Sequence, residues 1–240
     1  MEKDYKTDFE KFLAHTNEKK VLLDEIVKDI KKINAETLID IGAGNGLLAI
    51  PLSKQVNKYA AVESKRKFVE ILRNSGLFTL EGDFPFNIDE KFDIALSSHS
   101  LSYDEKDFAP YIRKAMDLLN KGGVFIIITF RGQEDDWTDL LKNIGLPQMD
   151  HNRIGYNSII ELLNSLGSVV MRKVTTNVEA KTIEDMLDVL SFVYHGGNII
   201  QKNEFTAKYD KVRKILNSKY MNNEKYSFPF QHLFITTKKG

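Results

Sequence analysis

Residues 37–53 read T-L-I-D-I-G-A-G-N-G-L-L-A-I-P-L-S. A short apolar run, Leu38-Ile39-Asp40-Ile41, stops at three alternating glycines, Gly42, Gly44 and Gly46. An apolar pattern at helical spacing follows at Leu47, Leu48, Ile50 and Leu52. The order is strand, tight turn, helix. Glycine supplies positive φ in such a turn and lets the backbone approach a ligand without a Cβ in the way. The helix start that follows offers free N–H groups to a polar or anionic ligand. The dinucleotide fingerprint G-x-G-x-x-G/A needs a small third residue for close helix–strand packing. Here that place is taken by the bulky Leu47, and the glycines run D-x-G-x-G-x-G from Asp40 to Gly46.

The rest of the chain sets bounds on what the turn serves. Its 240 residues suit one large domain or a domain with a cap. Hydrophobic residues make up 42% and charged residues 28%, enough of each for a globular domain with a sizeable core. The formal net charge is zero, which argues against a large nucleic-acid footprint. With no cysteine, thiol catalysis, disulfides and cysteine-held zinc are excluded. The N-terminal Met1-Glu2-Lys3-Asp4-Tyr5-Lys6 has no apolar signal core, and the longest purely apolar run, Val124 to Ile128, is too short to span a bilayer. A cytoplasmic protein with no membrane partner is expected.

Outward from the turn, strand and helix patterns alternate. Upstream, a short helix is expected over Asp8 to His15, and a second from Asn17 to Ile33 with Thr16 as its N-cap. Downstream, a second strand, Tyr59 to Val62, ends at Glu63, and Ser64 is expected to cap the helix that runs to Asn74. A third strand, Leu77 to Leu80, precedes Asp83-Phe84, and a fourth, Phe92 to Leu96, ends in Ser97-Ser98-His99-Ser100. After a helix over Lys106 to Leu119, the strand Val124 to Phe130 is continuous Val, Ile and Phe, as expected of a strand buried on both faces. Helices are then expected from Asp135 or Asp136 to Ile144 and from Ser158 to Leu166. The alternation predicts a parallel, doubly wound α/β sheet with right-handed crossovers. Two further strands, Val169 to Val178 and Phe230 to Thr237, are separated by residues 179–226, which carry helices at Ile183 to Tyr194 and Phe205 to Tyr220. An insertion of that length has a functional use more often than it is a bare connection.

Several motifs converge. Asp40 to Gly46 resembles motif I of the class I S-adenosylmethionine (SAM)-dependent methyltransferases. Phe92-Asp93-Ile94 with Ser97-Ser98-His99 resembles their strand-four motif, and Leu118 to Gly123 their L-x-P-G-G turn with Lys121 in place of proline. The resemblance covers about Ala35 to Phe130 plus the terminal strands. It implies a Rossmann-like, mostly parallel seven-stranded sheet with an antiparallel last strand. Residues 1–34 then form an N-terminal helical cap, 35–178 and 227–240 a SAM-binding core, and 179–226 a helical insertion closing over substrate, all within one domain. The resemblance also implies the cofactor set: Asp40, Gly42, Ala43, Gly44, Asn45 and Gly46 in the turn at the amino-acid end of SAM, Glu63 with Ser64 at the ribose, Asp83 and Phe84 at the adenine, and Ser97 toward the transferred methyl. A carboxylate suits the ribose because it accepts two hydrogen bonds side by side.

A further stretch, Phe12-Leu13-Ala14-His15-Thr16-Asn17-Glu18, resembles the N-terminal F-L-x-H-S-T-E of the histamine N-methyltransferase family, in which the glutamate holds the substrate amine. That implies Glu18 in the same role; read without the resemblance, Glu18 is a first-turn carboxylate favoured by the helix dipole. His15 and His195, the latter in the insertion, are the other substrate-binding candidates, and His99 and Tyr103, after strand four at the ligand-binding edge, are the catalytic ones. Trp137 reads as packing. No H-x-x-x-H pair or clear aspartate set marks a metal. The expected activity is methyl transfer from SAM to a small molecule, an amine nitrogen first, releasing S-adenosylhomocysteine (SAH). An oxygen acceptor, a non-catalytic SAM-binding module and a nicotinamide-dependent oxidoreductase stay open as alternatives, as does a monomer against a homodimer.

Overall fold

Short apolar runs alternating with amphipathic stretches form a sheet of strand order β3-β2-β1-β4-β5-β8-β6 in the computed structural model, which describes residues 2–102, 104–130, 135–147, 151–196 and 198–240. In chain order the elements are α1 (Glu2–His15), α2 (Glu18–Ile33), β1 (Thr37–Ile41), α3 (Ala49–Ser53), β2 (Lys58–Glu63), α4 (Arg66–Asn74), β3 (Thr79–Glu81), β4 (Phe92–Ser98), α5 (Glu105–Asp117), β5 (Leu119–Phe130), α6 (Asp136–Ile144), α7 (His151–Leu166), β6 (Gly167–Ala180), α8 (Ile183–His195), α9 (Ile199–Thr206), α10 (Tyr209–Lys219), β7 (Met221–Asn222) and β8 (Lys225–Lys239). They fall into two compact units. One comprises Lys19–Phe130, His151–Val174 and His232–Gly240; the other comprises Met1–Glu18, Arg131–Asp150 and Thr175–Gln231.

In the first unit, β1 pairs in parallel with both β2 and β4, β2 with β3, and β4 with β5. Parallel neighbours need crossover connections, and here helices supply them. β8 runs antiparallel to β5, with Phe130 opposite His232 and Val124 opposite Lys238. The strands are apolar on both faces because both faces are covered. Ile39, Ile41, Ala60, Val62 and Phe125 pack with Phe108, Ile112 and Ala115 of α5 and Leu163 of α7. Their sequence neighbours Leu38, Ala61, Val124 and Ile126 pack with Leu22, Ile26 and Ile30 of α2 and Leu52 of α3. Because β1 borders both β2 and β4, chain order reverses there, and in open α/β sheets ligands bind at the strand carboxyl ends beside such a reversal.

The second unit is built around one apolar cluster from α1, α6, α8, α9, α10 and the β7–β8 hairpin, including Phe12, Leu141, Leu190, Phe205, Leu216 and Phe228. Its helix ends are well specified locally. The Asp135 carboxylate accepts from Thr138 N–H at the start of α6, and Gly145 ends that helix in the left-handed region at φ 76°. Thr182 caps α8 through Asp185 N–H. Trp137 packs against Phe205, Phe228 and Phe230, as its sequence context indicates.

Three local expectations are corrected. The helix expected from Leu47 begins at Ala49 and lasts five residues. Ser64 is not a cap: Lys65 holds the N-cap place of α4 with no side-chain hydrogen bond, while Ser64 donates its own N–H to Glu63. The single helix expected over Phe205 to Tyr220 is two, α9 and α10, with a turn at Ala207-Lys208. Phe205, Val212 and Leu216 are all buried at spacings that one continuous helix also satisfies, and no Gly or Pro marks the break.

Asp40, in the middle of β1, is fully enclosed, and its carboxylate accepts from Tyr59 O–H at 2.7 Å. Burial pushes this carboxyl up to about 6 against the pull of the Tyr59 hydrogen bond, and the negative charge of Glu63 adds to the rise. In the folded chain the proton therefore stays on to about pH 6, and in the unfolded chain it leaves near 3.8. Stability from this group is complete below that lower value and is lost as pH rises through about 6. Asp40→Asn keeps an acceptor for Tyr59 and cannot ionise. Its stability relative to the parent should therefore increase by roughly 2 kcal/mol between pH 4 and pH 7 in urea denaturation. An unchanged difference at the two pH values would show that Asp40 is not held protonated.

Candidate active site

The turn after β1 is shaped by its glycines and by β2. Gly42, Gly44 and Gly46 have φ of 83°, 61° and 86°, in the left-handed region that L side chains resist. Gly42 N–H and Ala43 N–H both donate to the carbonyl of Val62, at 2.8 and 3.1 Å, which folds the turn back toward β2. At Gly42 an added Cβ would lie 2.4 Å from Ser100 Cβ, so the residue after β1 has to be glycine for Ser100 to approach. At Gly46 it would lie 3.0 Å from Ile50, and at Gly44 it would meet nothing within 4 Å. Gly44 therefore opens onto free space.

That space is a cavity of about 390 Å³ at the carboxyl ends of β1, β2 and β4. Its lining comes from Ile41, Gly42 and Gly44; from Val62, Glu63, Ser64, Lys65 and Phe68; from Gly82, Asp83 and Phe84 after β3; and from His99, Ser100 and Tyr111. Of the expected cofactor residues, Gly42, Gly44, Glu63, Ser64, Asp83 and Phe84 are on this wall. Asp40, Ala43, Asn45, Gly46 and Ser97 are not; they shape the strand and turn behind it. Asn45 accepts from Leu47 N–H at 3.4 Å, and Ser97 is fully buried. Lys65, Phe68, Ser100 and Tyr111 were not singled out from sequence. Ser100 lies within the quoted S-S-H-S, whereas Tyr111 carries no sequence signal beyond its place on the apolar face of α5.

Glu63 is buried and fully engaged. Oε2 accepts from Gly44 N–H at 2.8 Å, and Oε1 accepts from Ser64 and Lys65 N–H at 3.0 and 2.8 Å. Asp83 is exposed at the cavity edge, and the Phe84 ring stands edge-on to Tyr111 with centroids 4.9 Å apart. His99 has φ 55° and donates its N–H to Ile128 at 2.9 Å. Its exposed imidazole sits 4.7 Å from the Phe130 ring and 5.2 Å from that of His232. The acid of the strand-four motif, Asp93, is at the opposite end of β4. It accepts there from Glu36 and Thr37 N–H, both at 3.0 Å, and from Asn120.

Residues 3–166 match the family described as methyltransferase domain. The chain belongs to this methyltransferase family. As in that family, its cofactor is SAM, and the site fits it. Gly44 leaves room for a ligand against the backbone, carboxylates stand at the ends of β2 and β3, and an aromatic ring flanks the second of them. Among solved structures the methyltransferase resembles the YcgJ protein of Bacillus subtilis, at 16% identity over 90% of this chain and 97% of that one, with a TM-score of 0.55. It also resembles a functionally unknown protein of Deinococcus radiodurans R1, at 14% identity over 88% and 85%, TM-score 0.54. A third is the N-methyltransferase NodS of Bradyrhizobium japonicum WM9, at 11% identity over 90% and 95%, TM-score 0.50. At these identities the likeness concerns the fold. No curated protein matches the sequence.

The remaining expected residues belong to the other unit, apart from Tyr103, which lies outside the described residues. Glu18 is buried at the start of α2 and donates its N–H to Thr16 Oγ1. His15 donates from Nδ1 to the carbonyl of Lys11 at 2.7 Å. His195 is buried with Asp8 3.7 Å away. Burial, helped by Lys202, holds its imidazole below the ordinary histidine range against the pull of Asp8. His15, Thr16, Asn17, Glu179, Lys181 and Lys225 contribute to a separate cavity of about 680 Å³ within this unit. No described helix is long and apolar enough to cross a membrane.

The first two glycines of the turn should behave differently. Gly44→Ala is strained only by its φ, costing about 1–2 kcal/mol. Gly42→Ala adds the collision with Ser100 and should be destabilised by a further 1–3 kcal/mol or so. Thermal denaturation of the two variants checks this, and equal stabilities would remove the close approach of Ser100 as the reason for glycine at 42.

Proposed function

We propose that this methyltransferase acts on a small-molecule acceptor, with an amine nitrogen as the nucleophile. What carries the reading is the composition of one cavity, in which Gly44, Glu63, Asp83 and Phe84 share the wall with His99. Gly42 and Gly44, in the turn that Gly46 completes, hold the amino-acid end of SAM, Glu63 the ribose, and Asp83 with Phe84 the adenine. Bound SAM supplies an electrophilic methyl on a sulfonium. The protein's part is then alignment and exclusion of water, and alignment alone is worth roughly 7–11 kcal/mol in favourable cases.

Glu63 has to change partners to do this. A carboxylate has about four acceptor positions. Three are taken by the amides of Gly44, Ser64 and Lys65. A ribose diol needs two, so one amide must give way, and Gly44 is the free-standing one. His99 accepts a proton from, or orients, the attacking group. An amine needs only to be neutral when it attacks; a phenol or alcohol needs the base, and general-base assistance contributes about 10²–10⁴-fold. Glu18, with His15 and His195, binds the acceptor amine, which rests on the resemblance of residues 12–18 to an amine methyltransferase family. Neutral charge and the lack of cysteine support a cytoplasmic enzyme working on a small molecule rather than a nucleic acid.

Calorimetry with SAH and a radiometric acceptor panel of amines and phenols test this. SAH should bind in the micromolar range, and Glu63→Ala should weaken it about tenfold or more, as loss of a charge-assisted contact does. His99→Asn should keep SAH affinity and lower kcat, by about 10²-fold where the acceptor needs a base. Wild-type protein that ignores SAH would end the site assignment. Turnover of phenols but not amines would move the nucleophile to oxygen, and unchanged kcat in His99→Asn would remove its role.

A further inference from the structure

Three hydroxyls meet at the cofactor wall, those of Ser100 and Tyr111 in its lining and that of Ser97 behind it. Ser100 Oγ donates to the carbonyl of Ile41 at 2.6 Å, the last carbonyl before Gly42. Ser97 Oγ lies 2.9 Å from Ser100 Oγ, and Tyr111 O–H donates to Ser97 Oγ at 3.0 Å. Tyr111 Oη is also 3.1 Å from Ser100 Oγ and 3.3 Å from the Ile41 carbonyl. The distances allow one chain of donation, Tyr111 to Ser97 to Ser100 to the Ile41 carbonyl, in which every hydroxyl gives its proton once. The Tyr111 side chain is buried, and burial pushes its phenol up to about 12, so it stays a neutral donor.

On α5 the other core positions are apolar: Phe108, Ile112 and Ala115. Phenylalanine would fill the place of Tyr111 equally well, and a buried hydroxyl is costly unless it is bonded. The hydroxyl therefore reports something that packing does not need. The ring has a second contact, edge-on to Phe84 at 4.9 Å. One residue thus touches both the support of the Gly42 turn and the aromatic wall after β3.

We propose that Tyr111 is a positioning residue acting at both ends of the cofactor, its hydroxyl setting the Gly42 turn through Ser97 and Ser100 and its ring setting Phe84. This rests on the reading of the cavity as the SAM site. The two actions are separable because they serve different parts of the ligand. The hydroxyl chain bears on the amino-acid end, and the ring bears on the adenine.

The test is calorimetric titration of two probes, SAH and 5′-methylthioadenosine, which keeps the adenosine and lacks the amino-acid end. Tyr111→Phe should weaken SAH about tenfold and leave methylthioadenosine within about twofold. Tyr111→Leu, which also loses the ring, should weaken both. Ser97→Ala should reproduce Tyr111→Phe, and the double variant should be no worse than either alone, because both break one chain. If Tyr111→Leu does not fold, Tyr111→Phe and Ser97→Ala still decide the matter. Wild-type affinity for SAH in Tyr111→Phe overturns the proposal, as does equal weakening of the two probes, which is what a general structural role gives. Wild-type protein that binds no SAH overturns the site reading and this assignment with it. SAH binding that is indifferent to Tyr111→Phe overturns only the positioning role.

Discussion

Ser100 reaches the carbonyl of Ile41 because residue 42 has no side chain. That contact joins the end of β1 to the loop after β4, the two strands between which chain order reverses. Any Cβ at 42 would occupy the place of Ser100, and the turn could not close onto Val62 in the same way. The site follows from this closure. With the turn held down, Gly44 projects over Glu63 and leaves a cavity between the carboxyl ends of the strands. A parallel sheet makes such an edge by construction, because every strand delivers its carboxyl end to the same side. What the glycines add is that backbone, rather than side chains, forms the floor there.

Three acids on neighbouring strands are used in three ways, and environment alone separates them. Asp40 is enclosed with a single hydroxyl partner, and burial favours its protonated form. Glu63 is also buried, but it faces the cavity and three backbone amides surround its carboxylate. Asp93 is at the amino end of β4. Partial burial there works against its charge, but the Asn120 amide and the Glu36 and Thr37 donors win and hold the carboxyl below the ordinary range. Asp93 is thus a clamp between the start of β1 and the start of β5, remote from the ligand edge. At Asp40 burial outweighs one hydroxyl donor, whereas at the less enclosed Asp93 several donors outweigh burial.

The helical unit is organised by apolar packing with polar groups at its margins. Its aromatic residues, among them Phe12, Trp137, Phe205 and Phe228, supply a core to helices that are individually short. Helices of eight to thirteen residues are marginal alone and take their stability from such packing. Its charged side chains pair at the surface, Lys11 with Asp185 and Asp188 and Lys225 with Glu179. Exposed pairs of this kind contribute little to stability, so the cluster of rings is what defines the unit.

Sequence by itself determined the sheet. Short continuous apolar strands, helix-period stretches and a glycine-rich turn are local signals, and each can be read within a few residues. Gly42, Gly44, Glu63, Asp83 and Phe84, to which the family resemblance pointed, and His99, picked out at the edge after strand four, all line one cavity. Sequence did not give the break between α9 and α10, where helical periodicity runs across the turn, or the uncapped start of α4, where Ser64 is spent on Glu63 instead. Only tertiary structure decided which acids face the cavity and which support it, since Asp40 and Glu63 read alike as strand carboxylates. It alone revealed Tyr111, whose hydroxyl acts across 70 residues of sequence on the Ile41 carbonyl. Hydrogen-bond partners at that separation are set by how strands and helices stack, and a linear pattern carries no record of it.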